Sequence, residues 1–173
     1  MGAQEQGAQH TEGRWLTVSR SLCFVRNGDD VLLMKRAPHK RIFPNQYNGV
    51  GGHVERDEDA LTSARREIRE ETGLHVRDLR LCAVYNIDTG MASGISLFVF
   101  LAQSDTRATV DSDEGTLEWV PLAELGARDL VEDVAIILPR ILALKPGDPP
   151  LFVHVSYDAE DKILLRFAGE ADE

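Results

Sequence analysis

Glu67, Glu70 and Glu71 fall in a segment, Asp57 to Thr72, whose periodicity admits little but a helix. Leu61, Ala64, Ile68 and Thr72 recur three or four apart and share one face. Asp57 can cap its start, Gly73 suits a left-handed stop, and Leu74 beyond it can pack back. Residues three and four apart are neighbours on a helix, so the three glutamates leave one edge beside the apolar face. Two carboxylates 4 Å apart repel by roughly 4 kcal/mol at an effective dielectric near 20. A fold built around this helix has to offset that repulsion. Arg65, Arg66 and Arg69 offer one answer, a solvated and salt-bridged face. A hard divalent ion such as Mg²⁺, which binds carboxylate oxygens together with phosphates and water, is the other.

The rest of the chain supplies strands. Trp15 to Val25 and Val31 to Met34 flank the turn Asn27-Gly28-Asp29-Asp30 and predict a hairpin. A loop from Ala37 to Gln46 carries Pro38, Pro44 and several basic residues. Tyr47-Asn48-Gly49-Val50-Gly51-Gly52 follows, where three glycines either turn the backbone sharply or bring it close to something. Leu79 to Ile87, Ile95 to Ala102 and Thr116 to Val120 read as strands, the last closed by Pro121. Leu130 to Leu144 is an amphipathic helix that Pro139 should distort or restart. Leu151 to Tyr157 and Ile163 to Phe167 predict a terminal hairpin. Strands bracketing two helices imply one mixed-sheet domain with helices packed on it, spanning 14–168 between short tails at 1–13 and 169–173.

Bulk properties narrow the class. A chain of 173 residues, 43% hydrophobic, buries one ordinary core. A net charge of -10 argues against binding a nucleic-acid polymer, which needs a cationic surface. It leaves a nucleotide substrate open, because metal ions can supply positive charge locally. No apolar run reaches the length of a bilayer span, and Met1 to Gly13 lacks the cationic start and apolar stretch of a signal peptide. Cys23 and Cys82 lie far apart among apolar residues and read as buried, reduced thiols. The expectation is a cytoplasmic protein with no membrane partner, monomeric or homodimeric.

The stretch from Gly52 to Leu74 resembles the signature of the Nudix hydrolase family at every fixed position. Those positions are Gly52, Glu58, Arg66, Glu67, Ile68, Glu70, Glu71, Gly73 and Leu74. Nine specified positions over twenty-three residues seldom agree by chance. The resemblance implies the Nudix fold, an α/β (α+β) architecture with a mixed β-sheet sandwiched between helices, here with an extra C-terminal hairpin. It also implies a metal-dependent pyrophosphohydrolase using Mg²⁺ or Mn²⁺. Glu67, Glu70, Glu71 and the Gly51 carbonyl would be metal ligands, Arg66 would hold the glutamates, and Glu58 would support the loop. Family members take the proton of the attacking water with a signature-helix glutamate or with one from a later loop. Glu114 is the candidate for the second role and for a further metal ligand; an acidic surface loop is the alternative.

Val31 to Arg36 and Tyr47 to Gly52 resemble the MutT-type branch, which includes 8-oxo-dGTP diphosphatases. By that likeness Asn48 would contact the base; Lys35, at the end of a strand, is placed to reach the phosphates. A turn asparagine and an exposed edge lysine are the ordinary alternatives. Trp119 and the acidic pair Glu132-Asp133 match the region where that branch recognises an oxidised purine, although Val131 stands where an aromatic residue is expected. The expected partner is a nucleotide or another small molecule containing a diphosphate. Hydrolysis of ADP-ribose or dinucleoside polyphosphates, and a catalytically silent nucleotide-sensing or protein-binding module, are the competing readings.

Overall fold

The computed structural model describes residues 3–8, 11–110 and 112–170. Within the expected N-terminal tail, Ala3–Gln6 forms one turn of 3-10 helix; residues 1, 2, 9 and 10, like 171–173 of the C-terminal tail, lie outside the described residues.

The strands are β1 (Leu16–Asn27), β2 (Asp30–Arg36), β3 (Tyr47–Asn48), β4 (Arg77–Ile87), β5 (Ser93–Gln103), β6 (Gly115–Pro121), β7 (Leu151–Tyr157) and β8 (Ile163–Phe167). The helices are α1 (Ala60–Thr72) and α2 (Glu132–Ala143). Sheet order runs β3-β2-β1-β5-β4-β7-β8, with β6 on the other edge of β2. β1 runs parallel to β5 and β4 parallel to β7; the remaining pairs are antiparallel, so the sheet is mixed.

Strand alternation sorts the apolar residues to two faces. Leu22 and Phe24 of β1, Val31 and Leu33 of β2, and Val99 and Leu101 of β5 pack against Val134, Ile137, Leu138 and Ile141 of α2. Their neighbours Cys23, Val25, Leu32, Met34 and Phe100 pack against Ala64 and Ile68 of α1. The sheet thus lies between the two helices. Both cysteines are buried and free.

Two local differences from the sequence reading have plain causes. Helix α1 begins later than Asp57: Asp59 is the cap, accepting from the backbone N–H groups of Leu61 at 2.8 Å and Thr62 at 3.0 Å. Leu61, expected on the buried face, is 43% exposed, and Ser63 is buried in its place. Pro139 does not restart α2, which runs unbroken through it. The i−4 carbonyl that loses its donor belongs to Ala135, an exposed residue, so water can take the bond.

The feature that creates a site is a gap between β1 and β2. They pair only near their shared turn, from Val25↔Leu32 to Asn27↔Asp30. Beyond it they splay, and the glycine-rich segment enters between them. Tyr47 and Asn48 pair with Lys35 and Met34 of β2, while Val50 and His53 bridge Cys23 and Arg20 of β1. Among the described residues no helix is long and apolar enough to cross a membrane.

Candidate active site

The inserted segment presses its backbone against both neighbours. Ser21 N–H donates to the Gly52 carbonyl at 2.8 Å and Cys23 N–H to that of Val50 at 2.7 Å. Alternation along an extended chain therefore turns the intervening Gly51 carbonyl away from β1. Gly51 has a φ of 150°, and a Cβ there would lie 2.2 Å from the Ser21 carbonyl oxygen. A Cβ on Gly52 would lie 2.4 Å from Glu67 Oε1. Only glycine lets this strand pass so close to the acidic edge of α1.

That edge is set by Ala64 and Ile68, both fully buried, which lock the helix rotation. Glu67 and Glu71 then project toward the glycine segment, where Gly51 N–H donates to Glu71 Oε2 at 3.1 Å. Glu70 leaves toward solvent. Its side chain is 59% exposed and accepts from Arg66 Nη1 at 3.1 Å.

Arg66 gathers the segment. Its Nε and Nη2 donate to the two oxygens of Glu58 at 3.0 and 2.6 Å, Nη1 donates to Glu67 at 2.8 Å, and Nη2 reaches the His53 carbonyl at 3.1 Å. The forked guanidinium thereby ties the loop before α1 to the helix itself. Its hydrogen bonds hold the Glu58 carboxyl down at about 2. Glu67 and Glu71 move the opposite way. Burial raises Glu67 despite its bond to Arg66. Burial, reinforced by repulsion from Glu67 and Glu114, pushes Glu71 up to about 7, with the Gly51 N–H only partly opposing it. Among the described residues no three His, Cys, Asp or Glu side chains form a closed group around an ion position. Glu70 is the signature glutamate turned outward; Glu67 and Glu71 already converge. An all-oxygen, under-neutralised donor set of this kind fits a hard divalent cation.

These carboxylates form one wall of a cleft of about 640 Å³. Glu114 joins them there, although expected only as a candidate on a later loop, and Lys40 Nζ binds its Oε1 at 2.6 Å. Its sequence neighbour Asp111 lies outside the described residues. Asn48, Glu132 and Asp133 also line the cleft. Asn48 serves its turn as well, since its Oδ1 accepts from Gly49 N–H at 2.8 Å. Burial raises the Asp133 carboxyl above its ordinary range.

Lys35 is not part of the cleft. Alternation on β2 sends it to the α2 face, where its Nζ lies 5.8 Å from the centre of the Tyr47 ring. The next residue, Arg36, takes the cleft position beside Glu71. Trp119 also lies elsewhere, packed in the α1-side core with Nε1 donating to the Arg107 carbonyl at 3.1 Å.

Sequence reasoning missed Arg20, Arg36 and the apolar end of the cleft, formed by Ile87, Ile95, Leu97, Val155, Tyr157 and Ile163. That end depends on β7 pairing with β4, which brings the terminal hairpin to the site. The one available signal was Arg20, a cation in step with Leu22 and Phe24 on an otherwise apolar strand face.

Comparison with known proteins matches residues 15–141 to the NUDIX domain. The chain is 37% identical over 71 residues to the m7GpppN-mRNA hydrolase NUDT17 of Xenopus laevis, which covers 41% of this chain and only 24% of that protein. It is 27% identical over 128 residues to the oxidized purine nucleoside triphosphate hydrolase of Mus musculus, covering 73% of this chain and 80% of the relative. Among solved structures, the MutT protein of Bacillus halodurans superposes with a TM-score of 0.73 at 26% identity, covering 89% of this chain and 99% of its own. The chain, which spans only about a quarter of the length of the NUDT17 relatives it matches, belongs to the NUDIX domain family.

Proposed function

We propose that this chain is a divalent-cation-dependent pyrophosphohydrolase that cleaves the diphosphate of a nucleoside triphosphate, or of another nucleoside diphosphate linked to a further group. The observation that carries the reading is the placement of Glu67 and Glu71 against the Gly51-Gly52 backbone, on the wall of a cleft whose far end is apolar. The first end suits a phosphate chain and the second an organic group.

Glu67, Glu71 and the Gly51 carbonyl would hold Mg²⁺, or Mn²⁺ in its place, with Glu114 as a further ligand, and Glu70 would join them by turning back from Arg66. The bound ion supplies neutralisation of the diphosphate and a bound water of lowered pKa. Arg66 keeps Glu67 in place through its bidentate grip on Glu58. Arg36 adds positive charge at the phosphate end. Glu114, once freed from Lys40, would take the water's proton, or Glu71 would do so in its place. Asn48, Glu132 and Asp133 face the organic group. The likeness to the mouse oxidized purine nucleoside triphosphate hydrolase supports a nucleotide, oxidised ones included.

The test is a Mg²⁺-supplemented panel of nucleoside triphosphates (oxidised ones included), ADP-ribose and dinucleoside polyphosphates, with products resolved. Release of a nucleoside monophosphate with pyrophosphate is expected, and Glu71→Gln should nearly abolish it while the fold survives. Turnover confined to ADP-ribose, or cleavage indifferent to divalent ions, overturns the reading.

A further inference from the structure

Arg20 and Arg36 are the arginines that line the cleft, and Arg36 donates to the Ile42 carbonyl. Arg20 lines the cleft half-buried, and its Nε is shielded from solvent without a hydrogen-bond partner. Six carboxylates line the same cleft: Glu55, Glu67, Glu71, Glu114, Glu132 and Asp133. Among the described residues none of them pairs with it. A guanidinium remains charged at any ordinary pH and presents a planar fork of donors, so leaving its shielded Nε unpaired beside so many acceptors is unfavourable unless something else uses that donor.

Its direction says what that is. Ser21 shares the face of Cys23 and Val25 and lies 3.5 Å from Ser63 of α1, oxygen to oxygen. Arg20 therefore takes the opposite face, in step with Leu22 and in register with Leu97 of β5. It faces the apolar end of the cleft with Ile95 and Leu97, away from Glu67 and Glu71 on the α1 face. Glu132 and Asp133 line the cleft from the start of α2. A fixed donor fork and a pair of carboxylates among apolar side chains complement a flat ring that offers a carbonyl acceptor next to N–H donors.

We propose that Arg20 is a specificity-determining residue that reads a ring carbonyl on the organic half of the substrate, favouring a 6-oxopurine over a 6-aminopurine and over an organic group without acceptors. The inference rests on the nucleotide reading above. A fork of this kind donating to a purine edge discriminates by about tenfold to a hundredfold, roughly 1.4–2.8 kcal/mol at 1.4 kcal/mol per tenfold.

The experiment compares the whole chain with Arg20→Met and Arg20→Lys, using GTP, ATP and geranyl diphosphate with Mg²⁺, and GMP and AMP binding by calorimetry. Thermal melting controls for folding. The unaltered chain should bind GMP at least tenfold more tightly than AMP. Arg20→Met should erase that difference and raise KM for GTP about tenfold with kcat kept, leaving ATP and geranyl diphosphate little changed; Arg20→Lys, lacking the planar fork, should restore only part of the preference. A preference absent from the unaltered chain, or one that survives Arg20→Met, overturns the proposal. So does an equal loss for GTP and ATP, which would place Arg20 on the phosphate chain. These failures leave diphosphate cleavage itself standing, whereas its absence from the whole panel would remove the reading beneath.

Discussion

Glu71→Gln in the metal-free protein isolates the electrostatic load that the site carries. Burial, then repulsion from Glu67 and Glu114, lifts the Glu71 carboxyl from an ordinary 4.5 to about 7. A raised carboxyl means that the folded state holds its proton more tightly than the unfolded chain does. Its contribution to stability is therefore complete below about 4.5 and is lost as pH rises through about 7. The full loss corresponds to an upper bound of about 3.4 kcal/mol at 1.36 kcal/mol per pH unit. Glu71 retains some solvent contact, and screening brings the expected effect to about 1–2 kcal/mol. Glutamine keeps the oxygen that accepts from Gly51 N–H and removes the charge. With EDTA present, thermal melting from pH 5 to pH 8.5 should show the unaltered protein falling behind the variant. The gap should reach roughly 2–8 °C at the alkaline end, using about 2–4 °C per kcal/mol for a domain of this size. Adding Mg²⁺ at pH 8.5 should raise the melting temperature of the unaltered protein and leave the variant nearly unmoved. Parallel pH profiles for the two proteins would show that Glu71 is adequately solvated or paired, and the reasoning would fail.

Arg66→Met cuts the ties to Glu58, Glu67 and Glu70 together. The Mg²⁺ concentration for half-maximal turnover should rise about 10- to 100-fold, the usual effect of losing a partner that orients ligands; an unchanged Mg²⁺ titration would reduce Arg66 to a surface contact. Glu114→Gln separates a role in turnover from its ion pair with Lys40: kcat should fall at least tenfold while Lys40→Ala, which breaks the same pair, leaves kcat largely intact. Equal and small effects of the two variants would make Glu114 a structural residue. Gly52→Ala puts a methyl group where Glu67 Oε1 now lies. Turnover should drop by two orders of magnitude or so, with the melting temperature changing by a few degrees at most; full activity in a steady-state assay would mean that Glu67 has room to move without consequence.

What could be read in advance was local. The rotation of α1 follows from Ala64, Ile68 and Thr72 alone, so the mutual placement of the signature glutamates needed no tertiary information. The terminal hairpin was legible for the same reason, since Leu151 to Tyr157 and Ile163 to Phe167 alternate across a polar turn. Its partner was not legible. Pairing of β7 with β4 crosses more than sixty residues of chain and puts Val155 and Tyr157 on the cleft. Nothing in either strand names the other. The outward turn of Glu70 was equally hidden, because it depends on Arg66 reaching Glu58 and Glu67 at once. So was the grip of Lys40 on Glu114, two residues that the sequence places on unrelated loops.

The choice between Lys35 and Arg36, and between Arg20 and Ser21, shows why sheet register governs this site. In each pair adjacent residues point to opposite faces of one strand. Ser21 and Arg36 go to the face with α1 and the carboxylates; Arg20 goes to the face with α2 and the apolar pocket. A cleft that opens where β1 and β2 part reaches both faces at once, so one substrate can be gripped at its phosphates from one side and at its organic group from the other. A slip of one residue would put Arg20 where Ser21 now packs or Lys35 where Met34 now packs, and both of those sites are nearly fully buried. The core therefore enforces the register that separates the two chemistries. Substitutions that loosen packing under β1, even far from the glutamates, should blur substrate preference before they slow cleavage.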